Sequence, residues 1–176
     1  MSKLIAYIAT SLNGKIARAN GEVDWLDAIP NPEKSDYGYY DFYGSIGTTI
    51  MGNKTYEQVI NWGVEWPYPD KKNYVFTKKS GLKNTEHVEF ISENHAAFTQ
   101  KLKQESKEDI WLIGGGQINT FLLNEGLIDE LHIHIMPIIL PDGIEIFELI
   151  PKETQLDLES SKSYKSGVME LKYSIG

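Results

Sequence analysis

A formal net charge of −8 over 176 residues disfavours nucleic acid and anionic membranes as general partners, since both repel an acidic surface, and leaves a small molecule as the expected ligand. With 41% hydrophobic and 24% charged residues, residues 1–176 suit one globular domain able to bury about two-thirds of its unfolded surface. Without cysteine there is no disulfide framework, thiol nucleophile or thiolate metal site, and the apolar run Leu4 to Ala9 is too short for a signal peptide or membrane span, so a cytoplasmic protein is expected.

Leu4 to Ala9 reads as a first buried strand, followed by Ser11-Leu12-Asn13-Gly14-Lys15-Ile16, whose Asn-Gly also suits a plain hairpin turn. Arg18 to Asp24, polar and containing Asn20-Gly21, predicts an exposed, mobile loop ending at Trp25-Leu26, and Pro30 and Pro32 delay the next helix. From Ser35 onward, Tyr39, Phe42, Tyr43 and Ile46 recur at helical spacing, with Ser35 or Asp36 as the cap. Thr48 to Met51 is a strand that runs into Gly52-Asn53-Lys54-Thr55 and a short helix over Tyr56 to Ile60. An irregular aromatic connection then leads to strands over Asn73 to Thr77 and Val88 to Ile91, and to a helix over Ala96 to Lys103; Lys78 and Lys79 stand at the carboxyl end of the first of these strands.

Asp109 to Leu123 is the stretch around which the second half of the chain is organised. Its apolar run stops at Gly114-Gly115-Gly116 and resumes at helical spacing, which predicts buried strand, tight turn and helix. Glycines let a backbone approach a ligand closely, and the following helix directs free N–H groups at an anion, the geometry of a phosphate cradle. Contiguous glycines match neither a spaced dinucleotide fingerprint nor a P-loop, so a purely structural turn stands beside that reading. Gly126 ends the helix, and Leu131, Ile133, Ile135, Ile138, Ile139 and Leu140 predict the next strand, completing a right-handed βαβ unit with the glycines at its ligand-binding carboxyl edge. Pro141-Asp142-Gly143 is a turn, Ile146-Phe147 close onto the core, and Thr154 to Ile175 forms an antiparallel hairpin about Lys165-Ser166-Gly167. Four strand–helix alternations and a hairpin predict a single three-layer α/β domain with a mostly parallel central sheet.

Three motifs, Ile8-Ala9-Thr10-Ser11-Leu12-Asn13-Gly14-Lys15-Ile16, Ile50-Met51-Gly52-Asn53-Lys54-Thr55-Tyr56-Glu57 and Leu112-Ile113-Gly114-Gly115-Gly116-Gln117, resemble the dihydrofolate reductase superfamily in order and separation. The first is closer to the reductase domain of riboflavin biosynthesis, the second to dihydrofolate reductase itself. The resemblance implies a dihydrofolate-reductase-like fold that binds NADPH, with Ala9 and Ile16 flanking the nicotinamide, Gly52, Asn53, Lys54 and Thr55 beneath the phosphates, Ile113, Gly114, Gly115, Gly116, Gln117 and Ile118 holding the pyrophosphate from the other side, and a cis Gly114–Gly115 bond. Asn53 stands where relatives commonly carry Arg or Lys, so a contact to the 2′-phosphate falls to Lys54, Thr77, Lys78 or Lys79. The resemblance further implies that Ile8, Trp25, Asp36 and Tyr40 line the substrate, with Asp36 as the catalytic substrate acid and Asp41 as its competitor, and that Arg18 to Asp24 is a lid over the nicotinamide.

The expected activity is hydride transfer from NADPH to a pterin-like substrate; the alternatives are reduction of a ribosylated aminopyrimidine and a nucleotide-binding protein without turnover. His132 and His134, two apart on a strand, share a side, but no further ligand set stands nearby, so no metal is expected and they are read as packed or hydrogen-bonded residues. Neither nucleic acid nor membrane is an expected partner, and a homodimer is left open.

Overall fold

The computed structural model describes residues 1–176. Ten strands and four α-helices follow one another as β1 (Leu4–Ser11), β2 (Lys15–Ala17), α1 (Tyr39–Ser45), β3 (Ile46–Gly52), α2 (Asn53–Asn61), β4 (Lys72–Phe76), β5 (Val88–Ile91), α3 (His95–Glu105), β6 (Asp109–Gly114), α4 (Gly116–Asn124), β7 (Glu130–Met136), β8 (Ile144–Glu145), β9 (Asp157–Ser163) and β10 (Met169–Ser174). The main sheet is ordered β5-β4-β3-β6-β1-β7-β10-β9. Strands β5 to β7 pair in parallel, and β10 and β9 add an antiparallel margin. β2 and β8 form a separate two-stranded ribbon. No helix is long and apolar enough to cross a membrane.

Both faces of the parallel strands are covered, which is why these strands read as near-continuous apolar runs. On one face Leu4, Ala6, Ile50, Ile110 and Leu112 meet Ile118 and Leu122 of α4, with Phe98 and Leu102 of α3 against them. On the other, Ile5, Met51, Val75 and Trp111 meet Phe42 of α1, with Tyr39, Tyr43 and Tyr56 alongside. A third cluster, Trp25, Met136, Leu140 and Val168, lies under the segment between β2 and α1. Single domain and three layers are both present, with Ile146 and Phe147 packed on the first cluster.

Three boundaries differ from expectation. β7 stops at Met136 because Pro137 has no N–H to give the ladder, so Ile138, Ile139 and Leu140 form a loop that buries Leu140 and exposes Ile139. α1 does not include Ile46, whose β-branched side chain opens β3 instead. α2 begins at Asn53, immediately after Gly52, three residues before the expected start. β4 and β5 follow one another through a connection without a helix, as the sequence pattern predicts, and pair in parallel, and the four expected strand–helix alternations are all present.

Candidate functional site

β3 ends at Gly52 and β6 at Gly114, and the register pairs Met51 with Gly114, so the two glycine turns lie side by side at the carboxyl edge of the sheet. α2 and α4 start directly from those turns. Their N-cap residues are Gly52 and Gly115, and neither helix start carries a side-chain cap. Both first turns therefore keep N–H groups without side-chain partners and turn partial positive ends toward one opening. A Cβ on Gly52 would stand 3.8 Å from the Gly114 carbonyl oxygen, and one on Gly115 would stand 3.4 Å from Thr55 Oγ1. The Gly114–Gly115 bond is cis, and Gly114 has φ +115°, a backbone shape that favours glycine.

Gly116 is glycine for a different reason. A Cβ there would lie 2.3 Å from the Glu145 carbonyl oxygen and 2.7 Å from Glu148 Cγ. The segment from β8 onward is clamped over the first turn of α4: the Asn119 amide donates to the Ile146 carbonyl at 2.9 Å, the Thr120 hydroxyl to the Glu148 carbonyl, and the Glu148 N–H to the Gly116 carbonyl at 3.3 Å. The Ile146 N–H in turn donates to the Gly14 carbonyl, and Lys15 pairs with Glu145. The Asn13-Gly14 turn, β8 and α4 are thus one unit, and Asn13-Gly14 leads into β2, which pairs with β8 rather than back onto β1.

Among the cationic candidates, Lys54 and Lys78 are exposed, while Lys79 is tied to α2 through Glu57 at 3.2 Å. The Asn53 amide donates to the same Glu57 oxygen at 2.7 Å. Lys79 Nζ and the Asn53 amide lower the Glu57 pKa together. Thr77 is buried and accepts the Lys79 N–H at 3.0 Å.

The proposed substrate residues are not all brought together. Ile8 is 6% exposed and packs in the α4-side core, whereas Ala9, the next residue along the strand, points to the opposite face against the Trp25 cluster. Trp25 is 1% exposed. Ile113 joins the α1-side core, and Ile16 and Ile118 the α4-side core. Gln117 is exposed on α4. Asp36 is exposed, and its two oxygens accept the Gly38 and Tyr40 N–H groups at 3.1 and 3.0 Å, which hold its carboxyl below the ordinary range. Asp36 thus holds the backbone that enters α1 from two residues before its N-cap, which is Gly38 and carries no side-chain cap. Tyr40 is 74% exposed with Tyr39 against its ring, and Asp41 is exposed.

Residues that sequence reasoning passed over have structural work at the site. Gln58 of α2 donates to the Gly21 carbonyl, which fastens the Arg18 to Asp24 loop, itself braced by an Arg18–Asp24 ion pair, across to the helix that starts at the glycine crevice. Asn119 and Thr120, polar yet fully buried on an apolar helix, were a legible signal, because buried polar side chains are retained where they hold something. His132 and His134 are buried, and desolvation lowers both pKa values. His132 Nε2 bonds Glu130 at 2.8 Å, and His134 Nε2 bonds the Tyr37 carbonyl at 3.0 Å.

Residues 69–169 match the model of the RibD C-terminal domain. The chain is 41% identical over 166 residues to the uncharacterized protein YwjB of Bacillus subtilis, covering 94% of each, and 32% identical over 185 residues to YyaP of the same organism, covering 97% and 94%. It superposes on a putative riboflavin biosynthesis protein from Shewanella sp. PV-4 with a TM-score of 0.88 at 26% identity, over 100% and 99% of the two chains. A bifunctional Thermotoga maritima protein, a diaminohydroxyphosphoribosylaminopyrimidine deaminase/5-amino-6-(5-phosphoribosylamino)uracil reductase, shares the fold with a TM-score of 0.73 at 13% identity; the chain spans 57% of its length. The protein belongs to the RibD C-terminal domain family, within the dihydrofolate-reductase-like fold.

Proposed function

We propose that the protein is an NADPH-dependent reductase of a ribosylated aminopyrimidine. The observation that carries this reading is the pair of uncapped helix N-termini, α2 from Gly52 and α4 from Gly115, facing one opening at the carboxyl ends of adjacent parallel strands. Such a pair suits a pyrophosphate, because each helix offers unpaired N–H donors and a partial positive charge where sheets of this kind take their ligands. Family membership and the named activity of the Thermotoga neighbour supply the substrate class. The pterin-like substrate has less support, since both oxygens of the carboxylate it requires, Asp36, are engaged by the Gly38 and Tyr40 N–H groups at the entry to α1.

In this reading Gly52, Thr55, Gly114 and Gly115 hold the pyrophosphate, and Lys79, with Lys54 and Lys78 nearby in sequence, supplies charge for a 2′-phosphate once released from Glu57. NADPH, when bound, supplies the hydride, and the acceptor is the C=N carbon that opening of an N-ribosyl ring exposes. The chain itself holds the two reactants together and excludes water, the Arg18 to Asp24 loop closing the site through Gln58. A cytoplasmic location and self-association into a homodimer accompany the proposal.

Nicotinamide fluorescence on adding NADPH tests binding, and loss of nicotinamide absorbance on adding 5-amino-6-(5-phosphoribosylamino)uracil tests turnover. Tight binding with turnover supports the proposal. Binding without turnover of that compound or of dihydrofolate would support a nucleotide-binding protein instead, and no binding would remove both readings.

A further inference from the structure

One layer of the molecule leaves polar atoms buried and unpaired. The face of the sheet that carries Tyr7 and Ala9 of β1 continues through His132 and His134 of β7 to Lys172 and Glu170 of β10, since Tyr7 pairs with His132, Ala9 with His134, and Glu170 with His134. The segment Trp25 to Gly38 crosses this face as a strap. Four atoms of the layer are inaccessible and have no hydrogen-bond partner: Trp25 Nε1, Tyr37 Oη, His132 Nδ1 and His134 Nδ1. Trp25 and Tyr37 belong to the strap and His134 is bonded to it through the Tyr37 carbonyl, whereas the His132 ring lies against Phe42 of α1 and bonds Glu130. Trp25 is 1% and His134 2% exposed. Tyr37 packs against the Trp25 cluster and edge-on against Tyr164 at 4.9 Å.

The chemistry of each atom is fixed by its neighbours. His134 Nε2 lies 3.0 Å from the Tyr37 carbonyl; a carbonyl only accepts, so Nε2 carries the proton. Burial favours the neutral ring, which leaves Nδ1 a bare acceptor. Trp25 Nε1 is a donor only, and the Tyr37 hydroxyl is free to donate. Beside the strap two donors and one acceptor are therefore desolvated without a partner, and His132 Nδ1 is a second acceptor two residues earlier on β7. Glu170, the carboxylate opposite His134, is already occupied by the Tyr164 hydroxyl at 2.8 Å and Lys172 at 3.0 Å.

We propose that this layer is the recognition site for the pyrimidine ring of the substrate, with Trp25 Nε1 and the Tyr37 hydroxyl donating to its two carbonyls and His134 Nδ1 accepting its imide N–H. A uracil-type edge presents acceptor, donor, acceptor, the complement of the three atoms left unpaired at the strap. A pterin edge presents two adjacent donors and calls for a free carboxylate, which the layer lacks. The site lies at the correct end of the sheet: β7 is two strands from β6, about 10 Å across the sheet from the glycine turn. The strap is the part that moves to admit the ring. Pro30 and Pro32 leave it without two N–H donors, and its outer tie, Glu33 to Lys165, is an exposed ion pair of the kind that contributes little. This inference rests on the proposed reductase activity and adds to it the residues that choose the ring.

Two variants and one substrate analogue test it. Tyr37→Phe removes only the hydroxyl, and His134→Gln keeps a donor for the Tyr37 carbonyl while removing Nδ1. Each should leave the melting temperature unchanged or raised, because an uncompensated buried polar atom is lost, while KM for 5-amino-6-(5-phosphoribosylamino)uracil rises roughly tenfold with kcat and NADPH affinity nearly unchanged. In the unaltered protein, methylation of the ring N3 should weaken binding by a similar factor, a result that depends on no variant folding. Unchanged KM in both variants and with the N3-methyl compound, in a protein that does oxidise NADPH with the parent compound, would overturn this inference and spare the reductase reading. A melting temperature that falls in both variants while KM holds would assign the three atoms to a structural water and overturn it equally. Absence of NADPH binding would remove the reductase reading and this inference with it.

Discussion

Gly115 and Gly116 are adjacent in the chain, yet the structure assigns them opposite sensitivities. At Gly116 an added methyl would stand 2.3 Å from the backbone oxygen of Glu145, and that oxygen cannot give way unless the segment clamped by Asn119, Thr120 and the Glu148 N–H lifts from α4. Overpacking of this kind costs about 1–3 kcal/mol, which for a domain of this size lowers Tm by roughly 2–12 °C. At Gly115 the sole close contact of the methyl would be Thr55 Oγ1 at 3.4 Å, and φ is −74°, so Gly115→Ala should melt within about 2 °C of the parent. The same methyl, however, stands between the two helix starts and keeps a pyrophosphate from the N–H groups, so the NADPH Kd should rise about tenfold or more, roughly 1.4 kcal/mol at the least. Thermal melts and fluorescence titrations with NADPH on both variants read the two quantities separately. A Gly115→Ala protein that binds NADPH as the parent does would refute the assignment of the crevice, and a Gly116→Ala protein of full stability would refute the packing argument.

Three further outcomes rest on particular contacts. His132 and His134 are held neutral by burial, with pKa values below the ordinary 6.5; the unfolded chain therefore binds more protons below that pH, so stability should be complete above about 6.5 and fall as pH drops from there toward 5, and a Tm that is flat across that window would contradict this. Gln58→Ala frees the Arg18 to Asp24 loop from α2 and should lower kcat several-fold, roughly three to tenfold, while the NADPH Kd moves less than about twofold; equal changes in both would show that the loop is only a connection. Asp36→Asn keeps one acceptor for the two N–H groups of Gly38 and Tyr40 and should lower Tm by no more than about 4 °C with kcat/KM within about twofold of the parent, and a large loss of kcat/KM in a protein that melts in that range would restore Asp36 as the substrate acid.

Much of this architecture can be read directly from local pattern. The apolar runs at Leu4, Thr48, Asp109 and Leu131 are strands because both faces of a parallel sheet are covered, and the glycines that end β3 and β6 mark where helices begin. Boundaries set by a single residue's chemistry are less visible: Pro137 ending β7 is readable in principle, whereas the parallel pairing of β4 with β5 across a helix-free connection depends on long-range contacts that no window contains. In the site, Gly114 and Gly115 stand out by composition alone. The function of Gly116 does not, because it is defined by Glu145 and Glu148, about thirty residues away. Asp36 shows the limit most clearly, since a carboxylate just before a helix suits both a backbone tie and a ligand, and its contacts with Gly38 and Tyr40 become visible only in the structure. His134 and Tyr37 were visible as residues but not as a pair, 97 positions apart in the chain.

The central claim, that the crevice between α2 and α4 delivers a hydride to a ribosylated aminopyrimidine, is tested most directly by isotope transfer. The protein is incubated with 5-amino-6-(5-phosphoribosylamino)uracil and NADPH deuterated at the transferring position of nicotinamide C4, and the product is identified by mass spectrometry and NMR. The account predicts a ribitylamino product carrying a single deuterium on the carbon bonded to the amine nitrogen. Recovery of the ribosyl compound unreduced, with NADPH intact, would contradict it.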